Sequence, residues 1–230
     1  MKRLLILLTI FALLIVPLFA FAQVEQVLSY VVTDEATMVD SLDTWFASKD
    51  SDFGQYAFLV STIANGSDPT THYLVLIYPD YTSYQAALDG VIKSGEFSKL
   101  ESRISKIATL NSESLYTQVL SNGKPEKAGD FIYTMNVNVT GSGLEYAAAC
   151  KELMNSEIGK KAPGIFKVNA GLSGTDSSHL GILSAPSFAA LNEYRDSYTG
   201  NKDWANFLSK AEKISTLTGS GFLRVVKVWK

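Results

Sequence analysis

The sequence predicts an α+β fold in which two copies of a βαββαβ unit lie in one chain and pack their sheets against each other. Three observations support this prediction. His72–Leu110 matches His179–Leu217 without a gap after a shift of 107 positions (179 − 72), which indicates a duplicated unit. Apolar residues recur at strand and helix spacing in the same order in both halves. The polar stretch 121–130, with its Gly and Pro residues, is typical of a linker between them.

Residues 1–22 have the pattern of a secretory signal peptide. Met1-Lys2-Arg3 gives a positively charged start, an apolar run follows, and Ala20-Phe21-Ala22 fits a cleavage site. We therefore expect a periplasmic or secreted protein that is a monomer or weak dimer and is not held at a membrane after cleavage. The alternative is an uncleaved membrane anchor, since the apolar run is nearly long enough to span a bilayer.

Charge and cysteine content narrow the function classes. The formal net charge of −3 becomes −5 (−3 − 2) when Lys2 and Arg3 leave with the signal peptide. A mildly acidic chain argues against a generic nucleic-acid binder, so no nucleic-acid partner is expected. Cys150 is the only cysteine, which excludes an intramolecular disulfide and leaves the apolar core to stabilise the fold.

The first unit, residues 23–120, contains each element of the βαββαβ order. Val24–Val32 is rich in β-branched residues, which favour a strand. Met38 and Leu42 begin an apolar stripe at helical spacing. Pro79 ends the third strand, and Asp80 can cap the helix that follows. The predicted elements are strands 24–32, 55–63, 72–78 and 113–120 and helices 36–48, 80–93 and 96–108.

The second unit, residues 131–230, repeats this order after the linker. Tyr146, Cys150 and Leu153 share one helical face, so the thiol is expected to be buried and inert. Ser187 occupies the position of Asp80 and can cap its helix in the same way. The predicted elements are strands 131–140, 164–170, 179–185 and 221–229 and helices 144–157, 187–198 and 203–217.

The βαββαβ order is that of a ferredoxin-like unit, whose two helices cover one face of its sheet. Strand 72–78 carries apolar residues on both faces, for example Leu74 and Leu76 on one and Val75 and Ile77 on the other. A bare apolar sheet face would favour aggregation. Packing the two sheets against each other within the chain covers both faces.

In element order and duplication the chain resembles the dimeric α/β-barrel superfamily. That superfamily includes antibiotic-biosynthesis monooxygenases, NIPSNAP-like proteins, haem-degrading monooxygenases and chlorite dismutase-like proteins. The resemblance implies an intramolecular α/β barrel, and it brings cofactor-independent monooxygenase and haem-handling activities as alternatives. Its haem-binding members place a proximal His on a helix, whereas His72 and His179 begin strands. That ligand is therefore not carried over, and no catalytic residue is assigned.

Strand alternation places several polar side chains of the second unit on shared faces. They are Asn136 and Asn138, then Lys167 and Asn169, and finally Arg224 on the last strand. At the matching positions the first unit has uncharged and less polar residues, namely Ser29, Val31, Val60, Thr62 and Thr117. If the polar residues converge, their two cations and three amides suit a carboxylate or another anionic group. Otherwise they lie on an exposed face and only solvate it.

His72 and His179 occupy the same repeat position, each after a turn rich in Gly, Asp, Ser and Thr. One interpretation is a pair of acid–base or ligand-binding residues, because imidazole titrates near neutral pH. The other is an imidazole that closes its turn through hydroxyls such as those of Thr71 and Ser178. With no second His or Cys nearby, no metal site is predicted.

No catalytic motif is present, so the sequence favours a non-enzymatic function. The first hypothesis is an exported module that binds a small anionic or aromatic ligand and needs no cofactor. The second is a cofactor-independent monooxygenase or a haem-handling enzyme, by resemblance. The third is a protein-interaction module.

Overall fold

The computed structural model describes residues 23–48 and 56–230, so the predicted signal peptide at 1–22 lies outside the described residues. The α+β architecture with tandem ferredoxin-like units is confirmed. The strands are β1 Val24–Val32, β2 Tyr56–Ala64, β3 His72–Tyr78, β4 Ala108–Asn122, β5 Phe131–Val139, β6 Phe166–Ser173, β7 His179–Ala185 and β8 Ser215–Trp229. The helices are α1 Glu35–Phe46, α2 Tyr81–Lys93, α3 Gly95–Ile104, α4 Gly143–Asn155, α5 Phe188–Asp196 and α6 Lys202–Ala211, with a 3-10 turn at Gly159–Lys161.

The predicted helix caps are present. Asp80 accepts a hydrogen bond from the backbone N–H of Ser83 at 2.7 Å, and Ser187 accepts one from Ala190 at 3.1 Å. Each cap satisfies a backbone donor that the first helical turn leaves without a partner. Both helices therefore start directly after the strand that Pro79 or Pro186 ends.

The strands that close each unit are longer than predicted. β4 begins at Ala108 and β8 at Ser215, whereas the sequence placed their starts at 113 and 221. The extra residues are mostly exposed and polar, so they lack the alternation that marks a half-buried strand. They extend the strand because their backbones pair with β1 and β5, as in Tyr30 opposite Leu110.

The eight strands form one closed barrel in the order β1-β3-β2-β8-β5-β7-β6-β4. The edges of the two four-stranded sheets meet at two junctions, β2 with β8 and β4 with β6. All neighbouring pairs are antiparallel. Closure leaves no free sheet edge, which removes the aggregation hazard that an exposed edge presents.

The register corrects the matching of the repeats in one strand. β6 aligns with β2 at a shift of 109 positions (167 − 58), because Lys167 pairs with Ile182 as Phe58 pairs with Val75. The turn at 65–71 is two residues longer than the turn at 174–178, which accounts for the difference. Lys167 and Asn169 therefore correspond to Phe58 and Val60, not to Val60 and Thr62.

Apolar side chains form three clusters. One lies between the helices and the sheet of unit 1 and includes Met38, Leu42 and Leu76. A second occupies the same place in unit 2. The third fills the barrel interior and includes Phe58 and Ile77. Within residues 23–48 and 56–230, no helix is both long and apolar enough to cross a membrane.

Candidate functional site

A cavity of about 410 Å³ lies between the helices of unit 1 and the outer face of its sheet. The outward side chains of β1, β3 and β4 form its floor, and α1, α2 and α3 form its walls. Most of the lining is apolar. The lining residues are Gln26, Leu28, Tyr30, Trp45, Leu74, Leu76, Tyr78, Ala87, Leu88, Val91, Phe97, Leu100, Glu101, Ile104, Ser105, Ala108, Leu110 and Glu113.

A chain of hydrogen bonds crosses the floor of this cavity. The Tyr78 hydroxyl donates to Oε1 of Gln26 at 3.0 Å, and Nε2 of Gln26 donates to Oε1 of Glu113 at 2.6 Å. Tyr78 and Gln26 are buried, whereas Glu113 is exposed. The chain therefore connects a buried phenol to a carboxylate at the mouth, and Glu113 retains acceptor capacity for a further donor.

Burial and negative charge keep the two tyrosines of the cavity protonated. Burial, together with smaller contributions from the Glu113 and Glu101 carboxylates, raises the pKa of Tyr30 to about 12. Burial also raises the pKa of Tyr78, with smaller contributions from Tyr84 and Glu113. At neutral pH the cavity therefore presents neutral phenols, and its formal charges are the two carboxylates near the mouth.

The counterpart of this cavity in unit 2 contains much larger side chains. At the 107-position shift, Ala87 corresponds to Tyr194 and Val91 to Tyr198. Both tyrosines belong to the cluster beneath the helices of unit 2. Tyr198, in the turn after α5, stacks on Trp204 of α6 with ring centroids 4.3 Å apart. The second copy has thus exchanged small residues for a packed aromatic wall.

The polar chain of unit 1 is also replaced in unit 2. Gln26 corresponds to Tyr133, Tyr78 to Ala185 and Glu113 to Ser220. The Arg195 guanidinium lies over the Tyr133 ring, 4.1 Å from its centroid, and 5.0 Å from that of Phe222. Arg195 occupies the position that Leu88 holds in unit 1, and its cation–π contact contributes to the packing of unit 2. The two copies share a fold but not a site.

Two of the sequence-predicted site residues meet inside the barrel. Nζ of Lys167 donates to Oε1 of Glu25 at 2.6 Å, and Nδ2 of Asn169 donates to Oε2 of Glu25 at 2.7 Å. All three side chains are buried. Burial alone would lower the pKa of Lys167, but the Glu25 and Glu126 carboxylates outweigh it and raise that pKa. The ammonium is therefore neutralised within the protein.

The structure does not bring the other three predicted residues to Lys167 as one pocket. Asn136 lies opposite Leu180 and so faces the barrel interior. Oδ1 of Asn138 accepts from the backbone N–H of Ser178 at 3.0 Å, which ties β5 to the turn at 174–178. Arg224 is exposed on the outer face, because it pairs with Ser61 while Val225 turns inward beside Val60.

The two histidines close their turns through neighbouring hydroxyls. Nδ1 of His72 is 3.0 Å from the Thr71 hydroxyl, and Nδ1 of His179 is 3.0 Å from the Ser178 hydroxyl. Nε2 of His72 also lies 2.8 Å from Oε2 of Glu35. Burial lowers the pKa of His179, so this imidazole is neutral at neutral pH. Neither residue lines the unit 1 cavity.

The lining of the cavity does not suit haem, the cofactor that the family resemblance implied. Haem iron is held by His, Cys, Met or Tyr. Among the residues that line this cavity only Tyr30 and Tyr78 belong to that set, and both are held protonated. The lining also offers Glu101 and Glu113, but no Lys or Arg, to the two propionates. In the part of the chain that the structure describes, no cluster of His, Cys, Asp and Glu could hold a metal ion.

Structural comparison finds similar proteins, whereas comparison with family models and curated sequences does not. Neither a protein-family model nor a curated protein matches the chain. A "Putative monooxygenase" from Fusobacterium nucleatum has a TM-score of 0.61 at 14% identity, over 91% of this chain and 95% of its own. An anthrone oxidase-like protein has a TM-score of 0.59 at 12% identity, over 91% and 92%.

A haem-binding protein from Thermus thermophilus is also similar in fold. Its TM-score is 0.53 at 8% identity, over 89% of this chain and 91% of its own. At such identities the likeness concerns the fold and carries no residue role across. It shows that this chain has the ferredoxin-like, dimeric α/β-barrel fold that these monooxygenase-like and haem-binding proteins share, here built from two units of one chain.

Proposed function

We propose that the unit 1 cavity binds one small, flat, largely apolar molecule whose hydroxyl points at Glu113. The chain of Tyr78, Gln26 and Glu113 beneath an apolar roof is the observation that carries this proposal. The volume falls in the range of small-molecule sites, which are mostly apolar with a few placed polar groups. Gln26 orients the Glu113 carboxylate through a hydrogen bond, and this carboxylate favours a ligand that carries a hydrogen-bond donor.

The charge of the site favours a neutral aromatic ligand over the anionic one that the sequence also allowed. Glu101 and Glu113 both lie at the mouth, and the lining supplies no cation to offset them. An anionic ligand would lose hydration and meet like charge. Lys167, the cation that suggested an anion site, lies inside the barrel against Glu25 and does not line this cavity.

Calorimetric titration with matched naphthalenes tests the proposed binding. We expect 2-naphthol to bind with a stoichiometry of one, and naphthalene-2-sulfonate to bind at least tenfold more weakly. E113Q keeps an acceptor but loses the charge, so it should narrow the difference between the two ligands. Preferential binding of the sulfonate, or binding of 2-naphthol that E113L leaves unchanged, would contradict the proposal.

A second candidate function is oxidation of the bound hydroxyarene by molecular oxygen. The Fusobacterium and anthrone oxidase-like neighbours suggest this chemistry, and the Glu113 carboxylate is placed to accept the proton of a bound hydroxyl. For anthrone, which carries this hydroxyl in its anthrol tautomer, the balanced reaction is anthrone plus O2 to anthraquinone plus water. Oxygen consumption with anthrone that E113Q abolishes would support it. Binding of anthrone without oxygen consumption would leave ligand binding as the function.

The proposed location is outside the cytoplasm, in the periplasm or beyond the cell. The support is the N-terminal sequence alone, with a positive start, an apolar run and Ala20-Phe21-Ala22. N-terminal sequencing of the protein from its native host tests this. A mature chain that begins at Gln23 is the expected result, and a chain that retains residues 1–22 would contradict cleavage.

A further inference from the structure

The barrel interior contains a buried ion pair beside one junction of its two units, and the equivalent positions beside the other junction are apolar. Beside the β4–β6 junction, Glu25 from unit 1 receives hydrogen bonds from Lys167 and Asn169 of unit 2. Tyr116 lies next to Glu25 in the sheet and is buried as well. These side chains point into the barrel, where water does not screen the charges of Glu25 and Lys167.

The pseudo-symmetric positions beside the β2–β8 junction carry no charge. Ile132 corresponds to Glu25 and Leu223 to Tyr116 at the 107-position shift. Phe58 and Val60 correspond to Lys167 and Asn169 through the strand register. The apolar counterparts are buried in the interior cluster, namely Ile132, Leu223, Phe58 and Val60.

The backbones of the two junctions are equivalent. Ser61 pairs with Arg224 at one junction as Ala170 pairs with Thr117 at the other. Register shifts follow at matching places, between Leu59 and Val60 and between Gln118 and Leu120. Hydrogen bonds between strands would therefore form equally well in two kinds of barrel. One joins unit 1 to unit 2, and the other joins a unit to a second copy of itself. The distinction must come from side chains.

We propose that the buried Glu25–Lys167 pair selects pairing between unit 1 and unit 2 and opposes pairing of like units from two chains. Two copies of unit 1 would place Glu25 beside Phe58 at both junctions. Two copies of unit 2 would place Lys167 beside Ile132. Two unit 1 copies would bury two Glu25 carboxylates without a cation, which is strongly unfavourable, and two unit 2 copies would leave each Lys167 without Glu25, with Glu126 of the linker as its remaining carboxylate. The observed barrel pairs Glu25 with Lys167. This inference is independent of the ligand cavity.

A thiol reporter identifies like-unit pairing in the intact chain. Ser61 and Thr117 lie at different junctions of the observed barrel. Because Thr117 corresponds to Arg224, like pairing of unit 1 would put Ser61 of one chain opposite Thr117 of the other. Directly opposed residues on antiparallel strands are close enough for a disulfide. S61C/T117C should therefore cross-link two chains only when like units pair.

The test compares cross-linking after refolding at high protein concentration. All variants also carry E126Q. Glu126 interacts with Lys167, so replacing Lys167 alone would leave the Glu126 carboxylate without a neutralising charge. In this background E25I/K167F replaces the charged pair with Ile and Phe, the residues found at the equivalent positions beside the β2–β8 junction. We expect at least tenfold more disulfide-linked dimer on non-reducing gels than in the parent S61C/T117C/E126Q. I132V, which loosens the interior without removing a charge, should stay at the parent level.

A second pair of substitutions protects the test against misfolding. E25Q/K167M keeps side-chain volumes close to the originals while removing both charges, and it should also raise cross-linking. Parent-level cross-linking in every charge-free variant that refolds would overturn the proposal. So would failure of both double variants to refold, because the ion pair would then be required for the barrel itself. Equal cross-linking in I132V would overturn it too.

Discussion

At the scale of single residues, the most informative side chain is Lys167, because its surroundings reverse the usual effect of burial. Its side chain is 1% exposed and its ammonium is still charged, held by Glu25 with Glu126 nearby. The sequence placed Lys167 and Asn169 on one face of a strand, which the structure confirms. It did not identify Glu25 as their partner. The available signal was an isolated charge in a β-branched strand.

We expect K167M to destabilise the protein by about 3 to 5 kcal/mol, since it leaves the buried Glu25 carboxylate without a cation. When both variants also carry E126Q, so that Glu126 needs no cation, the double variant E25Q/K167M should lose clearly less, because neither charge of the buried pair remains. Urea unfolding of the single and double variants measures the difference. A single variant as stable as the double would show that Glu25 does not need Lys167.

Alkaline pH should destabilise the folded state through buried tyrosines. Burial raises the pKa of Tyr30 and of Tyr116 from 10.0 to about 12 in the folded state. Between pH 10 and 12 the unfolded chain has lost these protons while the folded chain keeps them. Stability is therefore full below pH 10 and falls as the pH rises towards 12, by on the order of 2 kcal/mol for each tyrosine.

Unfolding at stepped pH measures this fall. Y30F and Y116F should each flatten the curve, because phenylalanine has no proton to lose. Y81F serves as the control, since Tyr81 is 50% exposed. A fall of equal steepness in Y30F, Y116F and Y81F would contradict the assignment.

Arg224 shows where residue-scale reasoning from sequence fails. Alternation identifies which residues share a face of a strand, but not which face of the sheet turns inward. In β8 the register also shifts between Val225 and Lys227, so inward and outward positions change over within the strand. The sequence contains no marker of that irregularity. Arg224 consequently lies on the outer face, and the two cations grouped by sequence are separated.

At the scale of elements, α2 and α5 show how the two copies diverged. Each helix begins with the side-chain cap that the sequence predicted, directly after a strand, and the two helices take equivalent places on their sheets. The difference is the size of two side chains beneath the helices, since Ala87 and Val91 of α2 correspond to Tyr194 of α5 and to Tyr198 in the turn after it. This contrast is visible in the aligned repeats, but without the structure it could not be read as an open or a filled cavity.

Transferring the aromatic residues that pack beneath the helices of unit 2 into α2 should weaken ligand binding strongly. A87Y/V91Y copies Tyr194 of α5 and Tyr198 of the turn that follows it, both of which belong to the apolar cluster of unit 2. We expect affinity for 2-naphthol to fall at least tenfold while the melting temperature stays level or rises, since an apolar void is filled. A86Y is the matched control, because Ala86 is exposed on α2.

Calorimetry and thermal unfolding of these variants provide the measurement. Full affinity in A87Y/V91Y would place the ligand elsewhere. Equal loss in A86Y would point to a general effect on α2.

At the scale of the whole molecule, the long self-match predicted the duplication, and the two-sided apolar strands predicted that the two sheets cover each other. The closed barrel was implied by the resemblance to the dimeric α/β-barrel superfamily. The relative register of β2 and β6 could not be predicted, since the gap-free match begins at His72, after the turn whose length differs. The candidate cavity could not be predicted either. Its polar residues Gln26, Tyr78 and Glu113 come from three strands that only the fold brings together.

The proposed function gives the two halves of the barrel different tasks. Unit 1 keeps small side chains and a polar chain beneath its helices, and unit 2 fills the equivalent space with Tyr194, Tyr198 and Trp204. An asymmetric interior, with Glu25 and Lys167 on one side, accompanies this division. We infer that a duplicated fold can devote one copy to binding and the other to support, because the two junctions have equivalent backbone registers.

A crystal structure of the protein with 6-bromo-2-naphthol tests this division most directly, because anomalous scattering locates the bromine without bias. We expect one site per chain, between α2, α3 and the sheet of unit 1, with the ligand hydroxyl within hydrogen-bond distance of Glu113. A bromine site beneath the helices of unit 2 or inside the barrel, with none in unit 1, would contradict the division of tasks.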